Sequence, residues 1–266
     1  MVNLPTIRFG REGLRLFALG IGTTWFGRHW PPDNPSYKLP TDEEIEVYLD
    51  RIFTTVKHQD AFLMIDTAAS YGYSEEKIGS YFKNRQELFK KAFIATKWGE
   101  EFNIDTGMTP LDHSREHLIQ SFKRSLEHLK RIDLLYIHRT SIEVLSDLEV
   151  IEELKKIREC NRGSVRYIGV SISNEDILQK AVQKNLLNWP DVLQIPASIF
   201  LKRPDLMDTI CDRGINIVLN SPVRRGGSGS PEEIYSEILQ HKGRFVLLTG
   251  TRRHLEDTIG YFCSAK

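Results

Sequence analysis

A chain of 266 residues, 40% hydrophobic and 27% charged, holds enough apolar material for one barrel-sized core or two smaller ones. Its 36 Lys and Arg balance 36 Asp and Glu, so charge implies no polyanionic partner and nucleic acid is not expected. The start, MVNLPTIRFGREG, soon turns charged, and no apolar run approaches the roughly 20 residues that cross a bilayer; a cytoplasmic protein without membrane contact is expected. Cys160, Cys211 and Cys263 are scattered and form no CxxC pair, which speaks against a disulfide framework or a thiolate metal site.

The first element is a hairpin, IRFGREGLRLF, turning at Gly10 to Gly13, after which Ala18 to Gly22 forms a first short strand. Residues 27 to 40, rich in proline, are an excursion before the helix that Thr41 caps, with Ile45, Leu49, Ile52, Phe53 and Val56 on one face. Phe62 to Ile65 is an apolar strand that stops at Asp66. Small residues lead on to Tyr71, Gly72 loosens the backbone, and Ser74 caps the next helix. Strand Ala92 to Thr96 ends in Lys97, and a helix follows with Leu118, Phe122, Leu126 and Leu129 at helical spacing.

The alternation continues with strand Ile132 to Ile137 ending in His138, helix Ser146 to Cys160, strand Val165 to Val170 ending in Ser171, and helix Asn174 to Lys184. Strand Val192 to Ile195, a helix near Asp205 to Cys211, strand Ile215 to Leu219, helix Glu232 to Gln240, strand Phe245 to Leu248 and a helix from Arg253 complete it. Eight strand-then-helix units without a break predict one α/β domain over residues 1 to 266, a closed (β/α)8 TIM barrel preceded by a β-hairpin. In such barrels the site sits at the C-terminal strand ends. Here those ends carry Gly22, Asp66, Lys97, His138, Ser171, Gln194, Asn220 and Gly250.

A phenol has an ordinary pKa near 10, so Tyr71 needs its anion stabilised before it can donate a proton at neutral pH. A cation about 4 Å away would contribute about 4 kcal/mol at an effective dielectric of 20, and Lys97 is the candidate. Asp66 would keep Lys97 charged, and His138 would bond a substrate oxygen beside Tyr71. Each residue alone reads as an ordinary strand-end side chain; the four together describe acid catalysis.

IDTAASYG, ATKWG and LLYIHR closely resemble the motifs of the aldo-keto reductases, and the resemblance extends over nearly the whole chain. It implies a catalytic tetrad of Asp66, Tyr71, Lys97 and His138. By the same resemblance, RYIGVS assigns Ser171 to the nicotinamide carboxamide, with Gln194 of LQIP beside it. GIGTTW looks like the first cofactor loop and contributes Gly22 and Thr23; GTRR at Gly250, Thr251, Arg252 and Arg253 resembles the adenosine-phosphate end. The glycines of GIGTTW do not fit GxGxxG, and the expectation is of proline-rich sequence after it instead of a helix, which excludes a Rossmann fingerprint.

The chain departs from the family's pattern in three places. Asn220 stands where an aromatic usually precedes Ser-Pro, His254 to Asp257 follow GTRR at once, and RRGGSGSPEE shortens the segment after Pro222. The expectation is NADPH-dependent reduction of a small aldehyde or ketone by a monomer without metal. Two rivals are a Schiff-base barrel with Lys97 as nucleophile and a cofactor-sensing binding subunit. His113 and His117, four apart in one predicted helix, lack the glutamate a zincin motif needs and read as a solvated helix face. Trp25, Trp30 and Tyr37 either line the substrate mouth or pack the proline-rich loop down.

Overall fold

The computed structural model describes residues 3–28, 38–103, 105–161, 163–221, 230–240, 245–250 and 255–264. The hairpin forms as predicted: β1 (Thr6–Phe9) pairs antiparallel with β2 (Leu14–Phe17). Gly10 and Gly13 turn it with φ of 70° and 63°, a left-handed region that costs glycine nothing. Eight parallel strands follow: β3 (Leu19–Gly22), β4 (Leu63–Asp66), β5 (Ala92–Trp98), β6 (Leu134–Ile137), β7 (Tyr167–Ser171), β8 (Val192–Pro196), β9 (Asn216–Asn220) and β10 (Phe245–Thr249). They close into a barrel because β10 pairs with both β3 and β9. The fold is the expected (β/α)8 barrel.

These strands are apolar almost throughout, since β4 to β8 are buried along their whole length, as strands covered by helices on one side and barrel core on the other must be. The helix Asp42–Val56 starts at Thr41, whose hydroxyl accepts from Glu44 N while the Glu44 carboxylate accepts from Thr41 N, a reciprocal capping box. Its face of Ile45, Leu49, Ile52 and Phe53 lies in the core between barrel and solvent.

Three local expectations are corrected. Ser74 does not cap its helix but opens it, with Tyr73 before it, because the Ser74 hydroxyl turns to Thr23, whose own hydroxyl is 2.8 Å away. The helix expected over Ser146 to Cys160 begins at Leu148, where the Asp147 side chain accepts from Val150 N and caps it, and a separate short helix, Ile142–Leu145, precedes it. His113 and His117 share no helix. Ser114 caps Arg115–Leu129 and leaves His113 outside, with its Nε2 2.8 Å from the carbonyl oxygen of His138.

Candidate active site

Asp66 ends β4, and Lys97 stands one step before the end of β5. Lys97 is fully buried, Asp66 is 2% exposed, and Lys97 Nζ donates to Asp66 Oδ1 at 2.5 Å and to the Thr67 carbonyl at 2.7 Å. Burial alone would lower the Lys97 pKa, but the Asp66 carboxylate and the Tyr71 phenol outweigh it and the net shift is upward. Lys97 therefore remains an ammonium. Asp66 Oδ2 takes a further bond of 2.8 Å from Gln194 Nε2, so both carboxylate oxygens are satisfied in a place where an unpaired charge would be costly.

Tyr71 sits on a single 3-10 turn, Ala69–Tyr71. Two glycines let the neighbouring loops meet there: a Cβ on Gly72 would lie 2.3 Å from the Gly27 carbonyl oxygen, and one on Gly27 would lie 2.1 Å from that of Tyr71. Arg28 Nη1 donates to the Ser70 carbonyl at 2.7 Å and ties the turn down further. The ring so held has Lys97 Nζ 5.0 Å from its centroid and the His138 ring edge-on at 6.1 Å. The structure thus brings Asp66, Tyr71, Lys97 and His138 together.

His138 follows β6, and its backbone N–H donates to the Trp98 carbonyl. Burial pulls its pKa down against the opposing pull of Glu100. Glu100 itself lies just beyond β5, where Gly99 turns the chain at φ 99° with the His113 ring 2.3 Å from where a Cβ would be. Its Oε2 is 2.9 Å from His138 Nδ1 and its Oε1 accepts from Arg139 Nη1 at 3.2 Å. Burial works against the Glu100 charge, yet the bonds from His138, Thr109 and Arg139 prevail and hold its pKa down to about 2.

The next strand ends carry a polar network. Ser171 Oγ donates to Gln194 Oε1 at 3.3 Å and Asn220 Nδ2 to the same oxygen at 3.4 Å. A hydroxyl and two amides on adjacent strand ends fit a carboxamide, which can exchange with these mutual bonds. Gly22 and Gly250 lie side by side on the far strands, since a Cβ on Gly22 would be 3.9 Å from Gly250 Cα. Thr23 is fully buried, and its amide and hydroxyl both donate to the Asp66 carbonyl, so it joins β3 to β4. Trp25 packs edge-on against Phe26 and Tyr48 and is 8% exposed, a packing role. Thr251, Arg252, Arg253, Trp30 and Tyr37 lie outside the described residues.

The sequence model described as "Aldo/keto reductase family" matches residues 18–241. The chain belongs to the aldo/keto reductase family. Among curated proteins, the aldo-keto reductase yakc [NADP(+)] of Schizosaccharomyces pombe is 32% identical over 167 residues, covering 60% of this chain and 48% of that protein. Oxidoreductase YdhF of Escherichia coli is 35% identical over 129 residues, 48% of this chain and 41% of that protein. The matched region thus spans less than half the length of either relative. Among solved structures, an aldo-keto reductase of Pseudomonas aeruginosa superposes with a TM-score of 0.77 at 24% identity, over 100% of this chain and 98% of that one. A mutant of Gox0644 in complex with NADPH superposes at 0.64 with 18% identity, over 98% and 88%. These two likenesses establish the fold.

Ser70, Arg28 and Arg139 carried no signal of their own in the residue order, although Arg28 contacts the turn of Tyr71, Ser70 contacts His138, and Arg139 contacts Glu100, which itself meets His138. One signal was available for Glu100: TKWGE puts a carboxylate directly after a glycine at the end of a strand that carries a candidate lysine. Among the described residues, no group of three or more His, Cys, Asp or Glu side chains is placed to hold a metal ion, and no helix is long and apolar enough to cross a membrane.

Proposed function

We propose that this aldo/keto reductase reduces an aldehyde or ketone to an alcohol. When bound, NADPH would supply the hydride. Tyr71 is the proton donor in this reading: its Oη gives the proton to the substrate oxygen, and the Lys97 ammonium beside the ring meets the charge left behind. Asp66 holds that ammonium in place and, through Gln194, couples it to the strand ends that offer a carboxamide site at Ser171, Gln194 and Asn220. The observation that carries the reading is the fully buried Lys97, ion-paired to Asp66 at 2.5 Å and set 5.0 Å from the phenol ring. Tyr71→Phe is expected to lower carbonyl reduction by about 10²–10⁴-fold, the usual worth of a positioned proton donor, with NADPH affinity nearly unchanged. Near-normal turnover in that variant would overturn the assignment.

The same geometry disfavours the Schiff-base rival, because an ammonium held by a carboxylate and a carbonyl has no lone pair to attack with. A purely cofactor-sensing role would not need Tyr71 and Lys97 side by side. NADPH is preferred over NADH in our reading on two grounds: the relatives whose names carry NADP(+) and NADPH, and Arg252 with Arg253, whose guanidinium groups suit a 2′-phosphate through charge-assisted bonds. Arg252→Ala or Arg253→Ala should weaken NADPH by about 1 to 3 kcal/mol and leave NADH almost untouched, as for a bond to a charged group. Equal losses for both cofactors in titrations would refute the phosphate reading. A single-domain monomer acting in the cytoplasm on small carbonyl compounds completes the proposal.

A further inference from the structure

His138 carries two polar contacts on one nitrogen. Nδ1 lies 2.9 Å from Glu100 Oε2 and 3.2 Å from Ser70 Oγ. A serine hydroxyl can donate or accept, but an ionised carboxylate only accepts. Without a proton on Nδ1, two lone pairs would face each other across 2.9 Å in a buried place, so the carboxylate decides the tautomer. Glu100 is held for this: its side chain is 7% exposed, Arg139 donates to its other oxygen, and Gly99 supplies the φ of 99° that turns the chain at this point. Among the described residues, Lys97, Asp66 and Tyr71 are the other charged and titratable groups that these contacts and interactions place by the ring, with the His113 ring bonded to the His138 carbonyl.

We propose that Glu100 is a positioning residue for His138: it keeps a proton on Nδ1, so that Nε2 meets substrate oxygen as an acceptor while the ring is neutral and as a donor only after it gains a second proton. The proposal rests on the reductase reading for its consequence, not for its geometry. An acceptor there suits a hydroxyl, either the alcohol form of the substrate or a hydroxyl next to its carbonyl. A bare carbonyl oxygen is met by a donor only in the imidazolium, so its reduction should rise as pH falls through the His138 titration, and alcohol oxidation should move the other way.

The test is nitrogen NMR of the full chain labelled at histidine nitrogens, with His138 assigned by the signals lost in His138→Gln. The wild type should show neutral His138 with the proton on Nδ1 and a bare Nε2. In Glu100→Gln the Nε2–H form should appear and the His138 titration midpoint should fall by about 1 to 3 pH units, the scale of a lost neighbouring charge. Glu100→Asp should restore the Nδ1–H form. A wild-type ring protonated on Nε2, or a Glu100→Gln spectrum and titration identical to wild type, would overturn the proposal. The wild-type tautomer decides alone if the glutamine variant does not fold. Failure of the reductase reading would show separately, as undiminished turnover in Tyr71→Phe, while leaving the tautomer result standing.

Discussion

Buried carboxylates occur at both ends of this barrel, and they do different things. At the N-terminal floor, under the hairpin, Asp133 Oδ2 accepts from Ile94 N at 2.8 Å and from Arg131 Nε at 3.0 Å. Asp191 Oδ2 likewise accepts from Ile168 N and Arg158 Nη1. Each caps the backbone of a neighbouring strand and takes an arginine, a cation that does not give up its proton at any ordinary pH. Phe9 closes this end, edge-on to Phe93 at 5.5 Å and to Tyr167 at 5.6 Å. At the mouth, Asp66 takes Lys97, and Glu100 takes His138 besides Arg139; Lys97 and His138 are groups that can exchange protons, and the Tyr71 phenol lies between them. A buried ion pair is therefore no mark of catalysis in itself; the titratable character of the cation and the presence of a second proton-carrying group are what separate the two ends.

The comparison can be broken most severely at Lys97. Lys97→Met should lower turnover by about 10²–10⁴-fold and, because it leaves Asp66 buried without its cation, lower stability by about 3–5 kcal/mol. Steady-state kinetics and urea unfolding report the two losses independently, and full activity would remove Lys97 from the mechanism. At the floor, Asp133→Asn should cost about 1–3 kcal/mol in unfolding, the scale of an unmet buried bond, while turnover per folded molecule stays at the wild-type value. Lost turnover in the folded variant would erase the contrast between the ends.

The smallest effect is expected at Asn220. A tyrosine there can gain about 0.5–1.5 kcal/mol by lying against an aromatic ring, but it gives up the Asn220 bond to Gln194 Oε1, itself worth about 1 kcal/mol. Asn220→Tyr should thus change NADPH affinity by no more than about tenfold. A larger loss in a binding titration would mean that this strand end has no room for a ring.

Much of this protein could be read from residue order because the relevant physics is local. Side-chain periodicity and turn chemistry marked the hairpin and the strand-then-helix units, and closure by β10 against β3 follows the topology they predict. Asp66, Tyr71, Lys97 and His138 stood out because each ends an apolar strand or follows one by a few residues. The partners of these residues were not legible. Resemblance places Gln194 beside Ser171, and nothing in residue order shows that its Nε2 also reaches Asp66 across 128 positions of sequence, or that Thr23 is clamped to the Asp66 carbonyl across 43. Glu100 meets His138, and the His113 ring packs over Gly99, only because the end of β5 lies beside the end of β6. Residue type determines what a group can donate, accept or ionise, but which groups meet is set by barrel register and loop closure, and those arise only when strands distant in sequence come side by side.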